Sequence, residues 1–194
     1  MAVTSWKTSG TAANATGVGT LAWVADDSST PLSGNELSSD NNVYAGIIPA
    51  TSATTNYLRA TNFGFTSADV PAGSTIDGFE VEVIQYRSAT PVVVSTSIQL
   101  VKALAVVGSN FGTSADWAGT ETAVVYGSST QLGGVGWSQS DVISSNFGTA
   151  LSLTLSSGIT GIVRSHFVEQ VRVRIYHTTP TFTPNQASAF MTFF

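Results

Sequence analysis

The chain has no cysteine. No disulfide framework and no thiolate metal site is open to it, so packing alone must hold the fold together. Charge is scarce as well. Charged residues make up 10% of the chain, against about 25% in an ordinary soluble domain. Ser, Thr, Gly, Asn and Ala stand in their place. A surface of that kind packs against copies of itself or against a partner with little charge to desolvate. The basic residues are Lys7, Arg59, Arg87, Lys102, Arg164, Arg172 and Arg174. They are scattered, and the net charge is -5. Phosphate binding needs Lys and Arg in a patch, so nucleic acid is not an expected partner. Long apolar runs are missing too: stretches such as "TPVVV" and "ALAVVG" are too short to cross a bilayer, and no membrane partner is expected. The opening "MAVTSWKTSG" has no apolar signal core. It points to synthesis in a cytoplasm, with lysis or a dedicated route needed to leave it. Strong helix formers are sparse, and no long stretch repeats with a 3.6-residue period.

What is present is period-two alternation. In "GFEVEVIQYR", Phe79, Val81 and Val83 face one way and Glu80 and Glu82 the other. In "VEQVRVRIYH", Val171, Val173 and Ile175 alternate with Arg172 and Arg174, and in "TALSLTLSS" Leu151, Leu153 and Leu155 alternate with Ser152 and Thr154. Further strands are expected over 56–65, 92–103 and 122–126. Gly, Pro, Asn and Ser clusters punctuate them. The sequence "WSQSDVISS" offers one helical turn, with Ser138 as N-cap and Asp141 as the capping-box acid. The expected fold is all-β: a single antiparallel β-sandwich, jelly-roll-like, with one apolar face per sheet. If the Glu80/Glu82 and Arg172/Arg174 strands are antiparallel neighbours, their charges form a cross-strand ladder.

"NFG" occurs three times, as Asn62-Phe63-Gly64, Asn110-Phe111-Gly112 and Asn146-Phe147-Gly148. The gaps are unequal, which excludes a solenoid or propeller period. Asn suits a turn, Phe supplies a buried anchor, and Gly permits a bulge or a close backbone approach. The expectation is a corner used three times.

The ends differ from the middle. Residues 1–20 are small and polar, with Trp6 the one large apolar side chain; they are expected to form an N-terminal arm. Residues 21–179 form the sandwich domain, and 180–194 an apolar tail, "PTFTPNQASAFMTFF". That tail either folds back as an edge strand of its own sandwich or docks on a neighbour by strand addition or Phe anchors. Trp6, Phe182, Phe190, Met191, Phe193 and Phe194 are the expected partner contacts.

Catalytic chemistry is hard to find. There are two histidines, His166 and His177. With this much Ser, a Ser beside one of them is no evidence for a triad. Paired carboxylates for glycoside cleavage could come from Asp26, Asp27, Asp40 or Glu80/Glu82, but Glu80 and Glu82 fit an exposed strand face better. "SSDNNVYAG", with Asp40, Asn41 and Asn42, resembles half of an oxygen-ligand calcium loop but lacks the spacing and closing Glu of an EF-hand, and an Asx-turn explains it more simply. Trp6, Trp23, Trp117 and Trp137 with Tyr57, Tyr86 and Tyr126 could form a sugar-stacking platform, although aromatics in a sandwich are more often core. No catalytic, metal or cofactor residue is assigned, and no cofactor is expected.

The runs "NYLRATNFGFTSADVPAGSTIDGFEVEVIQ", "SIQLVKALAVVGSN", "VVYGSSTQLGGVGWSQSDVISSNFGTALSL" and "VEQVRVRIYHT" resemble small β-sandwich structural proteins of tailed phages and prophages, mostly without assigned function. The resemblance covers about residues 40–177. It departs at the end, where the Phe-rich tail is added, and at the start, where the arm is. The resemblance implies a non-enzymatic virion component. The expected form is a capsid decoration or cement protein, working as a homo-oligomer on the major capsid protein or another virion protein. The alternative is a carbohydrate-binding or adhesin module, such as a neck, tail or fibre part.

Overall fold

The structure, a computed structural model, describes residues 1–25, 31–47, 53–88, 93–156 and 165–180. The described residues form twelve strands: β1 (Ala2–Val3), β2 (Lys7–Thr8), β3 (Thr11–Ala15), β4 (Trp23–Ala25), β5 (Ala45–Ile47), β6 (Tyr57–Thr61), β7 (Thr75–Arg87), β8 (Val93–Lys102), β9 (Ala105–Val107), β10 (Thr122–Ser128), β11 (Gly148–Leu155) and β12 (His166–Thr178). One helical turn, α1, spans Gln139–Val142. Its Ser138 and Asp141 make the capping box expected from the sequence: each side chain accepts the other's backbone N–H. A short 3-10 turn covers Asn35–Leu37.

The strands pack as two antiparallel sheets. One runs β10-β7-β12-β5-β4 with β1 and β2 also on β12, and the other runs β3-β6-β11-β8-β9. The pairings β8–β9, β7–β10, β6–β11 and β5–β12 are the rungs of one long antiparallel ribbon, closed at the β8–β9 hairpin. Its successive rungs fall alternately in the two sheets. That is the jelly-roll topology.

The alternation sets the core. Phe79, Val81, Val83, Leu151, Leu153, Val171, Val173 and Ile175 are all buried. Phe63, Phe65, Phe79, Phe147 and Trp137 pack ring to ring among them. Register places Arg172 opposite Glu82 and Arg174 opposite Glu80, so the charge ladder forms. It is less exposed than alternation alone implies: Glu82 keeps 8% of its surface, because the Arg172 guanidinium lies against its carboxylate.

The three NFG copies are corners. Phe63, Phe111 and Phe147 are all buried. Asn110 Oδ1 accepts N–H bonds from Ile98 and Gly112, both at 2.7 Å. A Cβ on Gly112 would lie 1.9 Å from the Thr96 carbonyl oxygen, and one on Gly148 1.9 Å from that of Ala60. No side chain fits there.

Residues 1–15 run mostly as β1, β2 and β3 along the sandwich, and 16–20 bend, with the Thr20 N–H donating to the Thr54 carbonyl. β1 and β2 pair with β12, and β3 pairs with β6 in the other sheet. β7 fills one edge of β12, and β5, β2 and β1 share the other. An edge strand with free N–H and C=O groups is a liability, and these short segments cover it.

Candidate functional site

Trp6 lies over the charge ladder, half-buried, its ring centre 4.6 Å from the Arg174 guanidinium and 5.6 Å from that of Arg172. The other expected contacts, Phe182, Phe190, Met191, Phe193 and Phe194, lie outside the described residues, as do Asp26 and Asp27. The expected aromatic platform is dispersed. Trp23, Trp117 and Tyr126 are core residues. The Trp117 indole N–H donates to Thr96 Oγ1 at 3.0 Å and the Trp23 indole to the Asn56 carbonyl at 2.9 Å. Trp137 is half-buried against Phe79 and Phe147. Tyr57 is held by Gln99. Of the tyrosines named, Tyr86 alone takes part in the patch described below.

His166 and Ser165 are neighbours in sequence, and Ser165 Oγ lies 2.7 Å from His166 Nδ1. Both residues are fully buried. His166 Nε2 has no hydrogen-bond partner, whereas a triad needs a carboxylate on the second nitrogen. Burial pulls the imidazole pKa down to about 4, against a smaller upward pull from Asp116. This is a neutral core histidine stacked edge-on to Trp117. His177 is likewise buried.

The densest grouping of chemistry is at one end of the seven-stranded sheet, where β5, β12, β7 and the start of β10 meet. Phe167 of β12 is registered against Tyr86 of β7. Their rings stack, with centres 4.8 Å apart and planes 13° apart. Tyr44, just before β5, meets both edge-on, at 5.4 Å from Tyr86 and 5.7 Å from Phe167. All three are half-exposed.

Beside these rings lie three carboxylates, Asp40, Glu121 and Glu169, each with an oxygen within 4.8 Å of the others. The backbone explains how they meet. Between Val168 and Gln170 the β12–β7 register slips, so Glu169 is the extra residue of a bulge. Bulges re-aim side chains and are common near functional sites. Glu169 is fully buried. Its Oε1 accepts the backbone N–H of Asn41 at 2.9 Å and that of Asn42, and Asn42 holds a left-handed φ of 61°. Its Oε2 is buried without a partner. Glu121, immediately before β10, is exposed, as is Asp40. Burial, the hydrogen bond to Glu169 and the Glu169 and Asp40 charges push the Glu121 pKa above the usual carboxylate range. The Tyr44 hydroxyl bonds Asn42 Oδ1 at 3.3 Å and Glu121 Oε2 at 3.4 Å. Its pKa is also raised, by burial and then by the Glu169 charge.

Asp40 and the Asn pair were visible in the sequence as a half loop. Glu121 and Glu169 were not, because only the sheet register brings them to Asp40.

No family model matches the sequence, and no curated protein does. Among solved structures, the chain is similar to the CBM22-1 xylan-binding domain from Paenibacillus barcinonensis Xyn10C, at 9% identity and a TM-score of 0.36, over 90% of this chain and 87% of that one.

Proposed function

We propose that this chain is a non-enzymatic structural protein of a tailed-phage virion, acting as a decoration or cement protein that adds interface to an assembled shell. The observation that carries the reading is how sparse the surface charge is and how much of it is paired. Of the six basic and ten acidic residues among those described, ten are tied up in the pairs Lys7–Asp69, Arg87–Asp116, Lys102–Asp141, Arg172–Glu82 and Arg174–Glu80. Little charge must be stripped of water when such a face is covered. A modest apolar contact then adds roughly 25 cal/mol per Å² gross, part of it lost to ordering. Repetition over a lattice multiplies the remainder. The resemblance of residues 40–177 to phage sandwich proteins supports the same reading. The test is light scattering on the full chain and on residues 1–179. An oligomeric full chain with a folded monomeric truncation is the expected result. Equal sizes for both would remove the tail from any intermolecular role.

A second reading, a glycan-binding module, is favoured by the half-exposed Tyr44, Tyr86 and Phe167 rings, since aromatic faces stack on sugar rings. A glycan array decides it: a reproducible hit lost in Tyr86→Ala would replace the cement reading with this one.

A further inference from the structure

We propose that Asp40, Glu121 and Glu169 form a calcium site that locks the Asp40–Tyr44 loop onto β12 and the start of β10. The inference stands apart from the virion and glycan readings and holds or fails without them.

Three acidic side chains near one another are common on surfaces. Glu169 sets this group apart. It is fully buried, and burying a carboxylate is costly unless it is paired. One oxygen is satisfied by the Asn41 and Asn42 amides. The other has no N–H or hydroxyl donor, and the Glu121 carboxyl, hydrogen-bonded to Glu169, can donate only by taking up a proton. The nearest charges of the cluster are two more carboxylates, which repel it. None of the ion pairs among the described residues uses any of the three. A cation supplies what this arrangement lacks: charge neutralisation and a partner for the orphaned oxygen.

The donors select the ion. All are oxygens, with no Cys in the chain and no His in the group, which disfavours zinc and softer metals. Ca²⁺ binds oxygens at about 2.3–2.6 Å, so ligands on opposite sides of it sit about 5 Å apart. One oxygen from each carboxylate lies within 4.8 Å of the others, inside the span of a Ca²⁺ coordination shell. Mg²⁺, at about 2.0–2.1 Å, demands near-ideal octahedral geometry and sheds its waters reluctantly, so a cage of three carboxylates suits it less. Asp40 and Glu121 are exposed, which leaves room for the waters that complete a coordination of about 6–8. The Tyr44 hydroxyl is at the rim of the site, 3.4 Å from Glu121.

The test uses the full chain stripped with EDTA. Calorimetric titration with Ca²⁺ should give one saturable site per chain. Ca²⁺ at about a hundredfold above Kd should raise Tm by roughly 5–10 °C. Terbium should bind in its place and emit on excitation of the tyrosines, with Tyr44 the nearest, and Ca²⁺ should quench that emission by competition while equimolar Mg²⁺ does not. Asp40→Asn alters only an exposed side chain, so its fold is secure; its Ca²⁺ affinity should fall by about tenfold or more. Glu169→Gln keeps an oxygen for the Asn41 and Asn42 amides and should lose the site. Glu121→Gln removes one of three crowded charges. It should therefore be more stable than the parent in EDTA and no longer respond to Ca²⁺. No Ca²⁺ heat and no Tm change up to millimolar Ca²⁺ would overturn the proposal. So would Ca²⁺ binding that Asp40→Asn and Glu169→Gln leave intact. Stabilisation by Glu121→Gln in a chain that ignores Ca²⁺ would mean that Glu121 and Glu169 share a proton, and that also overturns it.

Discussion

Arg174 donates from Nε to Glu80 Oε2 across the β12–β7 pair at 2.6 Å. One register step on, Arg172 Nε does the same to Glu82 Oε1 at 2.7 Å. The Trp6 ring closes over both guanidinium groups. The ladder fixes the register of the two longest strands from their outer face while Phe79, Val81, Val173 and Ile175 fix it from the inner one. Opposed charges add roughly 0.2–1 kcal/mol per pair, and opposed like charges cost a similar amount. Glu80→Arg with Glu82→Arg should therefore lower stability by about 1–3 kcal/mol, read as a fall in the urea midpoint. Adding Arg172→Glu and Arg174→Glu should recover most of it. A shortfall of about 0.5–1 kcal/mol should remain, because Trp6 would then face carboxylates. An unchanged midpoint in the one-strand swap would mean that the ladder contributes nothing.

The start of the chain is structural. Thr4 N–H donates to the Ile175 carbonyl at 3.0 Å, and Ile175 N–H donates to Thr4 Oγ1 at 3.0 Å. Ser9 N–H reaches the Val171 carbonyl at 3.2 Å. Removing residues 1–9 would strip this cover from β12 and leave a long edge open to pairing with other chains. The expected outcome is a lower denaturation midpoint together with concentration-dependent aggregation. A truncated chain that stays monomeric and equally stable would return these residues to the status of a free arm.

These two cases show what was legible. The ladder could be read because residues 79–83 of β7 and 171–175 of β12 alternate strictly, so the pattern alone assigns their faces. The pairing of residues 1–15 could not. β1 and β2 are two residues each, too short for any period. β3 reads TAANA, with no large side chain to mark a face. The acidic cluster was legible only in its local part. Asp40 sits in a recognisable loop, but Glu169 lies in "VEQV", where two polar residues in a row put Val168 and Val171 out of phase. That break marks an irregular strand but not what Glu169 meets, and its bond to Asn41 spans 128 residues.

The β8–β9 hairpin turns on Ala103 and Leu104, which hold φ of 51° and 68°. A two-residue turn with both φ positive favours Asn-Gly, since a Cβ is strained there. Leu104 is 42% exposed, so little packing offsets the strain. Ala103→Asn with Leu104→Gly should stabilise the protein by about 1–2 kcal/mol, measured as a higher chemical denaturation midpoint. A loss instead would show that the Leu104 side chain matters to packing that its exposure hides.

Asn110 satisfies two strand and corner amides at once, those of Ile98 and Gly112. Asn110→Ala leaves both without an acceptor. At about 1–3 kcal/mol for a donor stranded away from water, and with the Ile98 bond part-buried and the Gly112 bond exposed, a total cost of about 1–2 kcal/mol is expected. Asn110→Asp keeps the acceptor oxygen and should cost much less. Equal losses for the two variants would mean that the side-chain amide, through its bond to the Thr96 carbonyl at 3.5 Å, is what the corner needs.

Acid should act first through His166. In the unfolded chain its imidazole titrates near 6.5, and in the folded protein burial moves that to about 4. Between those values the unfolded chain takes up a proton that the folded one refuses, so acidification favours unfolding. The stability tied to neutral His166 is complete above about pH 6.5 and falls steadily towards pH 4. At 1.36 kcal/mol per unit the loss reaches at most about 3 kcal/mol. A second decline follows at lower pH. Asp69 and Asp141 each have a pKa set below the ordinary 3.8 of an aspartate by several lowering contacts, led by the Lys7 and Lys102 side chains, that together outweigh burial, the largest single effect, which raises it. Their contributions hold above that value and are lost as pH drops through the folded pKa of each. Urea midpoints from pH 7 to pH 3 should therefore show two phases. His166→Asn keeps a polar partner for Ser165 and removes the titration. It should flatten the phase between pH 6.5 and 4 and leave the lower one. A variant profile that still falls by the same amount between pH 6.5 and 4 would assign that phase to another group.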